Sequence, residues 1–132
     1  MAELTFGPLL LPEGDIGPVA INPPIPHAQD GFDIQWADAN IDNTNWVGAY
    51  KDSVWITDDN RTDSQGNHIV VWSQVVDLPG LGPGQSQGRA VSVVSGAIPP
   101  GRYTMHVWIN SQYVPELYYG NNYSFNANID VR

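Results

Sequence analysis

Between Tyr103 and Asn110 the chain alternates without a break: Tyr103, Met105, Val107 and Ile109 fall on one side, Thr104, His106, Trp108 and Asn110 on the other. A repeat of two is the pattern of a strand with one face in a core and the other toward water. The stretch from Tyr123 to Val131 alternates equally well, setting Tyr123, Phe125, Ala127, Ile129 and Val131 against Ser124, Asn126, Asn128 and Asp130. Shorter runs precede these. Phe32, Ile34 and Trp36 alternate, Val54 and Ile56 lie between Trp46 and Thr57, Ile69 to Trp72 is followed by Val75 and Val76, and Val91 and Val93 lie between Arg89 and Ser95. Turn residues end each run, and nowhere are apolar residues spaced for a helix. From Met1 to His27, Pro8, Pro12, Pro18, Pro23, Pro24 and Pro26 forbid a helix and allow only short edge-strand pieces. The expectation is an all-β chain, an immunoglobulin-like antiparallel β-sandwich of about seven strands. Residues 1–132 form one domain in this reading, with residues 1–27 as a Pro/Gly-rich arm packed on it.

A chain of 132 residues buries enough surface to need no covalent staple. It has no cysteine, which removes disulfides, thiolate metal sites and a cysteine nucleophile. Five Lys and Arg stand against 14 Asp and Glu, a net charge of −9, and Lys51 is the only lysine. Phosphate contacts need clustered cations, so no nucleic acid is expected as a partner, and anionic membranes are disfavoured for the same reason. Nothing approaches the apolar length of a membrane span, and Met1 to Leu11 has neither the basic start nor the apolar core of a signal sequence. Only 14% of residues are charged, and polarity comes instead from Asn, Ser, Gln and Thr. Such a surface, rich in Tyr and Trp, is commoner on secreted proteins, so an extracellular or cell-surface location is expected.

Motifs with chemical meaning are few. Gly84 to Gly88 reads GQSQG, the pattern of a hydrolase nucleophile elbow, but prolines and glycines surround it and no helix is expected after it. His27, His68 and His106 are too far apart for a local zinc pair. No phosphate-binding glycine loop occurs. The loop TDDNRTDSQGN carries Asp58, Asp59, Asp63 and Asn67, hard oxygen ligands at the short spacing calcium accepts. The alternative is that these residues simply form turns, with Arg61 neutralising part of the loop. Asp38, Asn40 and Asp42 begin like an EF-hand but have Asn43 where glycine belongs and Ala49 where the bidentate Glu should be.

Five tryptophans and six tyrosines make sugar recognition a second hypothesis. Trp36 shares a face with Phe32 and Ile34 and is expected in the core. Trp55 and Trp108 are opposite in phase to the apolar residues of their strands and, with Tyr113, Tyr118 and Tyr119, are the candidate ligand platform. The alternative is that these rings cover the second sheet face or the arm. Asn60-Arg61-Thr62 and Asn122-Tyr123-Ser124 fit the glycosylation sequon, which an Asn-rich chain matches by chance.

Four segments between Gly48 and Val131 resemble the CARDB domains, immunoglobulin-like modules of bacterial and archaeal surface and adhesion-related proteins. YKDSVWITDD from Tyr50 is similar to the family's strand ending in a Ser/Thr-x-Asp corner, and VVDLPGLGPGQS from Val75 to its small-residue loop. GRYTMHVWIN from Gly101 resembles its Gly-x-Tyr strand, and VPELYYGNN from Val114 its ending, with Tyr119 in place of a second acid. Within that resemblance Glu116, Asn121 and Asn122 form a structural corner, their amides bridging backbone groups. The resemblance implies a non-enzymatic extracellular interaction or adhesion module of a prokaryote, its partner a protein or glycan at a cell surface. Two alternatives stand beside it: a calcium-dependent, lectin-like carbohydrate binder, and a homo-oligomeric structural subunit that lends its arm, Leu4 to Leu11, to a neighbour's sheet edge.

Overall fold

The computed structural model describes residues 14–16, 18–40, 48–109 and 123–132. Among them are eight strands: β1 (Gly14–Ile16), β2 (Ala20–His27), β3 (Gly31–Asn40), β4 (Tyr50–Thr62), β5 (His68–Leu78), β6 (Ser86–Val93), β7 (Gly101–Trp108) and β8 (Tyr123–Val131). All pairings are antiparallel. In the first sheet β3 is central, with β6 along one side and β2 and β1 successively along the other. The second sheet runs β5-β4-β7-β8. This is the sandwich expected from the alternation, with the three-residue β1 as an extra piece. No helix of the described residues is long and apolar enough to cross a membrane.

The proline-rich stretch lands where its chemistry allows. β2 is an edge strand whose pairing with β3 shifts between Asn22 and His27, across Pro23, Pro24 and Pro26. Its end turns to the other sheet: Arg132 N donates to Pro26 O at 3.0 Å, and Ala28 N donates to Arg132 O at 2.8 Å. Asn126 Nδ2 adds a bond to Val19 O. One flank of the sandwich is therefore closed by bonds between β2 and β8 and the residues that flank them, which leaves fewer unpaired donors at an edge.

Between the sheets, Ile34 from β3, Val54 and Ile56 from β4, and Met105 and Val107 from β7 are fully buried, with Trp36, Tyr103, Val93 and Val131 around them. Each such side chain contributes about 1.5–3 kcal/mol relative to exposure. Tyr103 donates its hydroxyl hydrogen to Pro99 O, 2.6 Å away and four residues upstream, and its ring packs on Gly101, where a Cβ would sit 3.2 Å from the hydroxyl. The Gly-x-Tyr spelling at 101–103 thus has a physical cause. At the β2–β3 turn Gly31 has φ +72° and lies so close to β6 that a Cβ would come within 2.8 Å of Val93 O.

β8 departs from the simple alternation. Met105 faces Asn126 and Tyr103 faces Ile129, so Ala127 and Asn128 together oppose Thr104. This is a β-bulge, with Asn128 at φ 60°, a backbone region that asparagine tolerates. The extra residue inverts the phase of the strand. Ile129 and Val131 point into the core, whereas Tyr123 and Phe125 point outward, and the exposures of 1% for Val131 and 56% for Phe125 reflect this. The expectation that all five alternate residues of β8 share one face is corrected accordingly.

Candidate functional site

The outward face of the second sheet carries the rings that the core does not use. Trp55 on β4 lies opposite His106 on β7, and His106 lies opposite Phe125 on β8. Trp108 is two residues further along β7, opposite Ser53 and Tyr123. Trp55 and His106 stack with centroids 4.8 Å apart and planes 2° apart. Tyr123 stands 5.9 Å from Trp55 and 6.0 Å from His106, and Phe125 stands 5.8 Å from Tyr123.

These distances fix which side of the indole is covered. Rings on opposite faces of an indole would be separated by about 7 Å, twice a van der Waals contact. His106 and Tyr123 are closer than that, so both rest on one face of Trp55. On the other flank of Trp55 the cross-strand neighbour is Ser73 of β5, whose side chain is too small to cover an aromatic ring.

His106 is fixed by a hydrogen bond at each ring nitrogen, one of which donates while the other accepts. Nε2 lies 2.7 Å from the Thr57 hydroxyl and Nδ1 2.6 Å from the Tyr123 hydroxyl. Burial pushes its pKa below the ordinary 6.5; the Asp59 carboxylate opposes this and His68 adds to it. The imidazole is thereby held neutral, and burial likewise raises the Tyr123 phenol. Thr104, the next outward residue of β7, donates to Asp59 Oδ1 at 2.7 Å. The result is a face of neutral rings and hydroxyls, extended on β5 by Val70 and Val75, each 54% exposed.

The four residues proposed for calcium lie on the β4–β5 hairpin and bond mainly to the loop itself. Asp58 accepts from Asn60 N at 2.9 Å and from Arg61 Nε at 2.8 Å, and these bonds hold its carboxyl below the usual range. Asp63 Oδ1 accepts from the backbone N–H groups of Gln65 and Asn67. This is how a turn satisfies its backbone, and among the described residues no group of three or more His, Cys, Asp or Glu side chains is placed to hold a metal ion. Asp38 and Asn40 belong to the buried face of β3, where Tyr50 donates to Asp38 Oδ2 at 2.6 Å and Asn40 Nδ2 donates to the carbonyls of Leu81 and Gly82. Burial first and then Asp38 push the Tyr50 phenol strongly upward.

The GQSQG segment is a turn entering β6, with Ser86 as the exposed first residue of that strand and no helix after it. A cleft of about 550 Å³ is lined by His27, Ile98, Pro99, Pro100 and Arg132 among others; no Asp or Glu lines it. Tyr113, Tyr118 and Tyr119 of the expected platform, the corner Glu116, Asn121 and Asn122, and the arm Leu4 to Leu11 lie outside the described residues. Tyr123, Phe125 and His106 are the residues sequence reasoning missed. The signal for His106 was its shared phase with Trp108, and for the other two it was Asn128, a turn former inside a strand.

Neither a protein-family model nor a curated protein sequence matches the chain. Its architecture is similar to the crystal structure of a CARDB domain from Pyrococcus furiosus in complex with di-metal ions, with a TM-score of 0.63, 17% identity and 96% of each chain covered. The fold is that of the CARDB domains. A solution structure of the same CARDB domain matches with a TM-score of 0.53 and 16% identity, covering 90% of this chain and 95% of that one. The CARDB-like sandwich is also similar to part of a β-glucosidase from Erythrobacter marinus, with a TM-score of 0.61 and 14% identity. There it covers 92% of this chain but only 16% of the enzyme's.

Proposed function

We propose that this chain is a non-enzymatic interaction module of the CARDB kind, acting outside a prokaryotic cell or on its surface and holding a protein or glycan there. The observation that carries this reading is the outward ring cluster of Trp55, His106, Tyr123 and Phe125. Phe125 lies outside the buried core and stands 56% exposed, beside Tyr123 at 45%. An exposed aromatic and aliphatic patch of this kind marks a contact surface. The small share of the matched β-glucosidases that this fold accounts for supports an accessory role, and the chain's acidic balance disfavours nucleic acid. Labelled protein is expected to bind intact prokaryotic cells, and Phe125→Ser to reduce that binding about tenfold with the melting temperature unchanged. Binding that survives the substitution would place the contact elsewhere.

A further inference from the structure

We infer that the uncovered face of Trp55 is a subsite for one pyranose ring of a neutral glycan, an assignment that rests on the binding-face reading above and names its ligand. Among the described residues the ring stack extends from β8 across β7 to Trp55 on β4 and stops there. The next position in register, on β5, is Ser73, and Ser73 is exposed. Adjacent strands are about 4.8 Å apart, close to the spacing of stacked rings, so a flat ring above Ser73 continues the series by one place.

The chemistry of the slot selects a sugar. One wall is an indole face, to which the C–H face of a pyranose packs. The floor is the Ser73 hydroxyl, able to donate and accept. Val75, two residues along β5 on the same outward side, bounds it with an apolar side chain. Among the described residues no charged side chain occupies an outward position between the Lys51–Asp77 ion pair at one end and Asp59 at the other, and His106 is held neutral behind the indole. In a chain of net charge −9 an uncharged face that combines rings with hydroxyls suits an uncharged polyol. An acidic glycan would be repelled by the molecule as a whole. β5 is the edge of its sheet, so among the described residues no further strand closes the slot, and a polymer can pass through it.

The test is an array of neutral and acidic polysaccharides probed with the whole chain, with Trp55→Ala and with Ser73→Trp. The Ser73 variant fills the slot while leaving the existing stack in place, so it stays informative if Trp55→Ala unfolds. Neutral glycans are expected to bind, with salt having little effect, and Ser73→Trp is expected to weaken them at least about tenfold. Absence of any neutral ligand, or binding that Ser73→Trp leaves intact, overturns the assignment. Cell binding that Phe125→Ser abolishes, with an array blank for neutral glycans, leaves the interaction module standing with a protein partner and removes only the sugar.

Discussion

Trp36 and Asp52 meet across the two sheets: the indole Nε1 of Trp36 on β3 donates to Asp52 Oδ2 on β4 at 3.0 Å, and both residues are buried. A bond of this kind ties the two layers at a fixed offset, and a buried carboxylate left without its donors is costly. Asp52 has further interactions besides this one. Asp52→Ala is therefore expected to lower stability by about 3 kcal/mol and Trp36→Phe by about 1–3 kcal/mol, with Asp52→Asn milder than Asp52→Ala. Urea unfolding of the single and double variants measures this; additive losses would show that the two residues act separately.

Tyr103→Phe removes only the hydroxyl that bonds to Pro99 O and keeps the ring over Gly101. The expected loss is about 1 kcal/mol, one neutral hydrogen bond, with the core packing retained. A variant as stable as the parent would mean that solvent satisfies the Pro99 carbonyl equally well.

Acid should weaken the fold through His106. Its folded pKa lies below the ordinary 6.5 because burial disfavours the imidazolium, so the unfolded chain binds more protons between those two values. The contribution is complete above pH 6.5 and is lost as pH falls below it toward the folded pKa. Urea midpoints followed from pH 7.5 downward, in the parent and in His106→Gln, are expected to fall more steeply in the parent. Parallel curves would assign the acid sensitivity to carboxylates such as Asp58, whose lowered pKa acts further down the scale.

Calcium is expected to leave the melting temperature where it is, because both Asp58 oxygens and one of Asp63 are engaged within the hairpin, with Arg61 supplying positive charge. Scans with excess calcium and with chelator decide it, since any ion that binds the folded state raises apparent stability. A rise that Asp59→Ala with Asp63→Ala abolishes would assign the loop as a metal site.

The sequence was most legible where local pattern and tertiary position agree. Tyr103, Met105 and Val107 alternate and are buried, and Trp36 shares the phase of Phe32 and Ile34 and is buried with them. Trp55 and Trp108, out of phase with their aliphatic neighbours, do face outward. What stayed hidden depends on pairing between distant segments. The alternation of β8 is genuine, yet a bulge against Thr104 divides it between two faces, and within β8 only Asn128, a turn former, marks that shift. Asp38 and Asn40 looked like loop ligands because their partners, Tyr50, Arg89 and the Leu81–Gly82 carbonyls, come from other parts of the chain.

The bulge at Ala127 and Asn128 also determines how this surface could change. Because Ala127 and Asn128 together oppose Thr104, removing one of them would leave Tyr123 and Phe125 outward and Ile129 and Val131 inward, whereas a strand of the same length paired without the bulge would carry one of these pairs to the other face. The ring cluster therefore depends on the bulge as much as on composition. Two related chains could carry the same aromatic residues in the same order and at the same spacing, differ only in whether this bulge forms, and present entirely different faces to a partner.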